Sequence, residues 1–251
     1  MFIEIIQDGA GVIEQDQNAV TGFYTGGIQN CLITVYECDS ATIMIHDSGQ
    51  LRLNDICELI RKRGRVNKVT ACFGHRIAWN LHQPRLNRIL SNIGYRADEI
   101  IDERPSSLDS FSFIYPLNGN PTISENEPFD ACISIPDKEK RQSVVELNNF
   151  FLASNAQSLP LDVQYVNGNY AGPGKLVHSL EEMINTVKSQ PQHFFLNLAF
   201  LEKANSLEVI ELPSELSKIA KENTVNRFIY QSFDKTDLAR QEAAFRQCFG
   251  D

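Results

Sequence analysis

The side chains best suited to do chemistry in this sequence are a thiol and an imidazole fifteen residues apart. Cys31 opens the apolar run CLITVYE (31–37), and His46 closes a second, ATIMIH (41–46). Both runs are rich in β-branched residues, and the polar break Cys38-Asp39-Ser40 between them has the composition of a hairpin turn. Antiparallel strands of nearly equal length bring the chain back to its start, so the pattern predicts Cys31 and His46 at the same end of a sheet. An imidazole beside a thiol supplies the base that nucleophilic attack on an acyl carbon requires. Register decides whether the two residues share a face, because a slip of one residue turns a side chain to the other side. Ahead of the cysteine, YTGGIQN (24–30) reads as a flexible loop whose backbone amides around Gly26 and Gly27 can point at an oxyanion. Asp47, next to His46, is a poor candidate to orient the imidazole, since adjacent strand residues point to opposite faces. No third and fourth ligand stands at a recognisable metal-binding spacing, so neither a metal nor a cofactor is expected.

The elements that must hold this pair are legible in outline. MFIEIIQDGAG carries Glu4 and Asp8 and no positive run, which predicts a short strand and not a secretion signal. After the hairpin, Leu53, Ile56, Cys57, Leu59 and Ile60 recur at helical spacing, with Asn54 as N-cap and Gly64 as stop. A buried strand follows at 68–73. A second helix over 77–93 contains Pro84, which should kink or restart it, and Gly94 ends it. A strand at 110–115 precedes the turn Asn118-Gly119-Asn120-Pro121. The polar, proline-bearing stretch ISENEPFD (123–130) divides the chain into regions 1–123 and 124–251. Beyond it come strands at 131–135 and 161–166, helices at 138–153, 175–189, 214–222 and 236–248, and the apolar run HFFLNLAFL (193–201). The class is α+β, an α/β sandwich with a mixed, largely antiparallel central sheet and flanking helices.

Bulk properties narrow the function classes. With 251 residues, 42 % hydrophobic and 22 % charged, the chain can build a substantial core without metal or disulfide support. A net charge of −9 argues against a nucleic-acid partner, and the basic run Arg61, Lys62, Arg63, Arg65 reads as a solvated helix end. No run is apolar for the roughly 18 residues a membrane span needs. Six cysteines without a CxxC or a regular framework imply reduced thiols and a cytoplasmic location, or delivery from one cytoplasm into a host cytosol.

The stretch YTGGIQNCLITVYECDSATIMIHDSG (24–49) resembles the active-site region of the chemoreceptor glutamine deamidases (the CheD family) and of toxin deamidases of the cytotoxic necrotizing factor type. In the toxins a glycine-bearing loop precedes the cysteine, and a histidine followed by a small residue and glycine comes fifteen positions later. Here His46 is followed by Asp47-Ser48-Gly49. In the chemoreceptor family a threonine six residues before the cysteine orients the histidine, and Thr25 stands six before Cys31. LNDICELIRKRGRVNKVTACFG (53–74) is similar to the family's helix, basic end, glycine and strand closed by Phe-Gly. The similarity covers about residues 20–123. It departs at Gln29-Asn30, where the family has Gly-Ser or Ser-Gly, and at His75, normally glycine.

The resemblance implies a protein-glutamine deamidase working through a thioester, with Cys31 as nucleophile, His46 as base and Thr25 as its orienter. Asn30 and Gly27 become the candidate oxyanion and substrate contacts, and the partner is a protein substrate presenting a glutamine. Three alternatives remain open: a cysteine peptidase or amidase with the same dyad, a catalytically inactive partner-binding protein with this fold, and a small-molecule amide or nucleoside hydrolase.

Overall fold

Alternation of buried residues along the strands decides the architecture. A computed structural model describes residues 1–16, 19–73, 76–96, 101–103, 110–124, 132–152, 158–172, 174–223 and 235–250. The chain divides into two compact units, Met1–Lys138 with Ser158–Gly174, and Glu139–Gln157 with Lys175–Asp251.

The first unit is built on two mixed sheets. One has five strands: β1 (Phe2–Glu4), β3 (Gly22–Ile28), β8 (Phe111–Pro116), β9 (Thr122–Ser124) and β10 (Cys132–Ile133), in the order β10-β1-β3-β8-β9. The other has seven: β2 (Gly9–Glu14), β4 (Leu32–Cys38), β5 (Ala41–Asp47), β6 (Val66–Phe73), β7 (Ile101–Glu103), β11 (Asp162–Val166) and β12 (Asn169–Tyr170), in the order β12-β11-β2-β5-β4-β6-β7. Strand β11, beyond residue 123, pairs in parallel with β2. The expected hairpin is β4–β5, paired from Leu32↔Asp47 to Glu37↔Thr42.

Strand parity sorts side chains between two cores. Ile33 and Val35 of β4, Met44 of β5, and Phe23 and Phe113 of the five-stranded sheet form one buried cluster, which is the space between the sheets. Leu32, Thr34 and Tyr36 are buried on the opposite face of β4. Helices α1 (Leu53–Arg61) and α2 (Arg76–Ile93) pack on each other and α2 on β6, burying Ile56, Ile60, Leu86 and Leu90. Each such aliphatic side chain removed from water contributes about 1.5–3 kcal/mol.

The class is α+β, as the sequence implies, with the strands shared between two sheets. Several local expectations shift. Helix α1 is capped at Arg52, not Asn54, and without a side-chain cap bond. Helix α2 passes through Pro84. The carbonyl that Pro84 cannot serve, that of Asn80, belongs to an exposed residue, as does Pro84 itself, so water can take the place of the missing donor. The supposed flexible loop around Gly26-Gly27 is the end of strand β3. His75 and most of the stretch 123–130 lie outside the described residues.

The second unit contains α3 (Lys138–Leu152), α4 (Leu180–Ser189), α5 (Phe194–Ser206), α6 (Ser214–Glu222) and α7 (Lys235–Phe249). Its core includes Leu147, Phe151, Met183, Phe194, Leu198 and Leu201. The apolar run 193–201 supplies the start of helix α5, where Phe194, Phe195, Leu198 and Leu201 are buried. Ser179 and Glu182 close a capping box at the start of α4.

Close approach between strands leaves no room for a side chain at Gly22. A Cβ there would stand 2.1 Å from the Tyr115 carbonyl on β8, which is backbone and cannot rotate aside. Gly22→Ala should therefore cost at least about 1–3 kcal/mol, measured as a lower midpoint in urea unfolding.

Candidate active site

Thr25 and His46 sit on different sheets and meet across the space between them. The register of β3 against β8 pairs Thr25 with Phe113 and Ile28 with Phe111, so β3 carries one extra residue. Gly27, at φ +67°, takes up the left-handed conformation such a bulge requires. Without the extra residue Thr25 and Ile28 would point to opposite faces; with it both are fully buried. Thr25 Oγ1 lies 2.7 Å from His46 Nδ1.

The ladder places Cys31 on the same face as this pair. His46 is directly opposite Ile33, so it shares the inter-sheet face with Ile33 and, two residues earlier, with Cys31. Cys31 packs against the inter-sheet cluster, consistent with that parity. Continuing the register sets Cys31 opposite Ser48, which makes Cys31 and His46 diagonal neighbours on one face. Asp47 points the other way, to α2, where Arg85 Nε binds its carboxylate at 2.6 Å. It accepts also from the Gly49 amide at 2.8 Å and does not orient the imidazole.

Residues 7 and 8, not anticipated as part of the site, complete it. Asp8, at φ +58°, donates its backbone N–H to the His46 carbonyl at 2.7 Å. Its Oδ1 accepts from the amide and the hydroxyl of Ser48, at 3.1 and 2.7 Å. Its Oδ2 accepts from Gln7 Nε2 at 3.2 Å. Because a carboxylate only accepts, the amide nitrogen of Gln7 must face Asp8 and its oxygen must face away. That oxygen accepts a weak bond from the Cys31 thiol at 3.9 Å. From β11, the buried Gln164 holds the turn by bonding both the N–H and the C=O of Ile6, at 2.9 and 3.2 Å. Gly9 makes room for it, since a Cβ there would fall 1.9 Å from the Gln164 amide. The only sequence signal for this turn is a polar Gln7-Asp8 pair followed by glycine inside an apolar stretch.

Burial favours the neutral form of both groups. Burial, reinforced by the carboxylates of Asp8 and Asp47, pushes the Cys31 thiol up to about 12. Burial pulls the His46 imidazole down to about 4, with Asp8 opposing the shift. Both shifts disfavour a thiolate–imidazolium pair at neutral pH. His46 Nε2 is buried and has no hydrogen-bond partner. An imidazole held at one nitrogen and vacant at the other is able to take a proton from a neighbouring thiol during attack. Asn30 and Gly27 are exposed at the mouth of the site, and a Cβ at Gly27 would meet nothing within 4 Å. The side of the site that faces solvent is thus open.

All six cysteines are free thiols. Among the described residues no group of three or more His, Cys, Asp or Glu is placed to hold a metal ion. Among them, too, no helix is long and apolar enough to cross a membrane. The chain matches no known protein family and no characterised relative.

Two outcomes follow from the neutral pair. An unfolded chain holds the His46 proton up to about 6.5, whereas the folded protein sheds it above about 4. Unfolding takes up a proton between those values, so stability is full above the window and falls as pH drops through it. Going from pH 7 to pH 4 should cost the wild type about 3 kcal/mol more than His46→Gln, read from urea unfolding at each pH. In addition, alkylation of Cys31 by iodoacetamide, followed by peptide mass, should keep accelerating beyond pH 9. A plateau near neutrality would contradict a protonated resting thiol.

Proposed function

We propose that this protein is a cysteine-dependent hydrolase that deamidates a glutamine side chain in a protein substrate. The observation that carries the reading is the Thr25–His46 hydrogen bond, which leaves His46 Nε2 unpartnered on the face it shares with Cys31. The choice of glutamine rests on the resemblance of residues 20–123 to the deamidases.

In this reading Cys31 Sγ attacks the substrate carboxamide carbon while His46 Nε2 takes the thiol proton. Because the thiol is protonated at rest, proton transfer accompanies attack and does not precede it. The tetrahedral oxyanion is met by backbone amides of the segment from Gly27 to Cys31, with the Asn30 side chain at its rim. His46 returns the proton to the nitrogen, ammonia departs, and water hydrolyses the thioester to leave glutamate and a free thiol. Thr25 Oγ1 accepts from Nδ1–H, which reserves the lone pair of Nε2 for the proton. Six cysteines that form no disulfide suit a reducing cytosol, that of the producing cell or of one into which the protein is delivered.

A second reading has one observation in its favour. A thiol pushed up to about 12 is less reactive than a free cysteine, which fits a partner-binding protein that retains the architecture without the chemistry.

Intact-mass analysis of candidate protein partners separates the two. Wild type should add about one mass unit per converted glutamine (amide to acid), and Cys31→Ala none. Thr25→Val should lower the rate by about 100-fold and Thr25→Ser by much less, since serine keeps the acceptor. Equal activity in wild type and Cys31→Ala would rule out the thiol mechanism.

A further inference from the structure

Two residues of helix α2 reach the site from the face opposite to the thiol. His82 is buried, and its Nε2 lies 2.7 Å from the carbonyl oxygen of Asn30, the residue before Cys31. A carbonyl only accepts, so Nε2 carries the proton and donates. One turn further, Arg85 grips Asp47, the residue after His46, with Nε at 2.6 Å and a second nitrogen at 3.3 Å. The same guanidinium bonds the Leu51 carbonyl. His82 also packs on the connection after β5, its ring carbon 3.0 Å from where a Cβ of Gly49 would be.

Helix periodicity explains why one helix can do both. Residues three apart lie on the same helix face, so the His82 and Arg85 side chains project together. They hold two different strands, β4 just before it begins and β5 just as it ends. We infer that α2 is a clamp that sets the position of Cys31 relative to His46, with His82 and Arg85 as positioning residues. The inference rests on the Cys31–His46 reading of the site and adds to it residues that touch neither reacting group.

The peptide geometry makes His82 the more consequential of the two. In a trans peptide the carbonyl and the following N–H point in opposite directions, and no cis bond occurs among the described residues. Holding the Asn30 carbonyl toward α2 therefore turns the Cys31 amide away from the helix. It also fixes the plane from which the Cys31 side chain departs. Asn30 is otherwise exposed in the bend between Ile28 and Leu32, so this bond takes the place of a strand ladder at the point where one is missing.

The test is a double-mutant cycle on the 251-residue protein, read as the rate of Cys31 alkylation by iodoacetamide at pH 7. In wild type, His46→Ala should slow alkylation about tenfold or more, because the base is lost. In a His82→Ala background the same substitution should change the rate less than about twofold, because the thiol no longer faces the base. His82→Gln, which retains an N–H donor, should restore most of the coupling. Asp47→Asn combined with Arg85→Met removes the charge pair as a unit and should weaken the coupling in the same way. Circular dichroism on each variant identifies any that do not fold; if His82→Ala is among them, the Asp47→Asn/Arg85→Met variant decides the matter, and an undiminished His46 effect there overturns the clamp. An undiminished His46 effect in the folded His82→Ala variant, or failure of His82→Gln to exceed His82→Ala, overturns the clamp while leaving the dyad intact. No effect of His46→Ala in wild type overturns the dyad and the clamp with it.

Discussion

The hydrogen bond between Thr25 and His46 spans the two sheets of the first unit, and much of the local structure is arranged around it. For the bond to form, Thr25 must face inward at the end of β3, which depends on the residue pattern before the Gly27 bulge. His46 must face the same space from β5, which depends on its pairing with Ile33 on one side and Gly9 on the other. Gly22 lets β8 come close to β3, and Gly9 makes room for the Gln164 side chain that holds the turn before β2. A buried hydrogen bond in a low-dielectric interior is costly to leave unmade, so sheet packing and imidazole orientation stand or fall together.

That bond satisfies one ring nitrogen and leaves the other without a partner. A buried, unpaired nitrogen costs about 1–3 kcal/mol, a penalty that folded proteins seldom carry without a use for it. In the proposed reading that use is to take the proton of the Cys31 thiol. Charge is handled with equal economy around it. Asp47 is matched by Arg85 on the helix side, and Asp8 is matched by the Ser48 and Gln7 donors, so neither carboxylate needs a cation at the thiol. Both carboxylates nonetheless oppose ionisation of Cys31. This field disfavours a standing ion pair, and the proposed coupling of proton transfer to attack is compatible with it.

The two units differ in how their cores announce themselves. Strand alternation and helical spacing in the first unit are amphipathic signals, because each element has a second face on water or on a different layer. In the second unit α5 is apolar on nearly all sides, so its run of Phe194, Phe195, Leu196, Leu198, Phe200 and Leu201 has no period from which to tell helix from strand. Helix α2 presents the converse case. Its pattern is legible, but its two most consequential residues, His82 and Arg85, look like ordinary polar positions until their partners at 30 and 47 are in view.

By itself the sequence determined the β4–β5 hairpin, the placement of Cys31 and His46 at the same end of it, helix α1 up to its glycine stop, and the α+β class. These follow from local periodicity and turn composition, which act over a few residues. Tertiary structure alone decided that Gly26-Gly27 close a strand and do not form a loop, that the strands divide into two sheets, that Gln7 reaches the thiol, and that Asp8, Gln164, His82 and Arg85 hold the segments that carry the site. It also set the direction in which the thiol shifts, since that depends on burial and on carboxylates 23 and 16 residues from Cys31 in sequence. A register or a desolvated pocket is a property of several segments meeting, and no single segment encodes it.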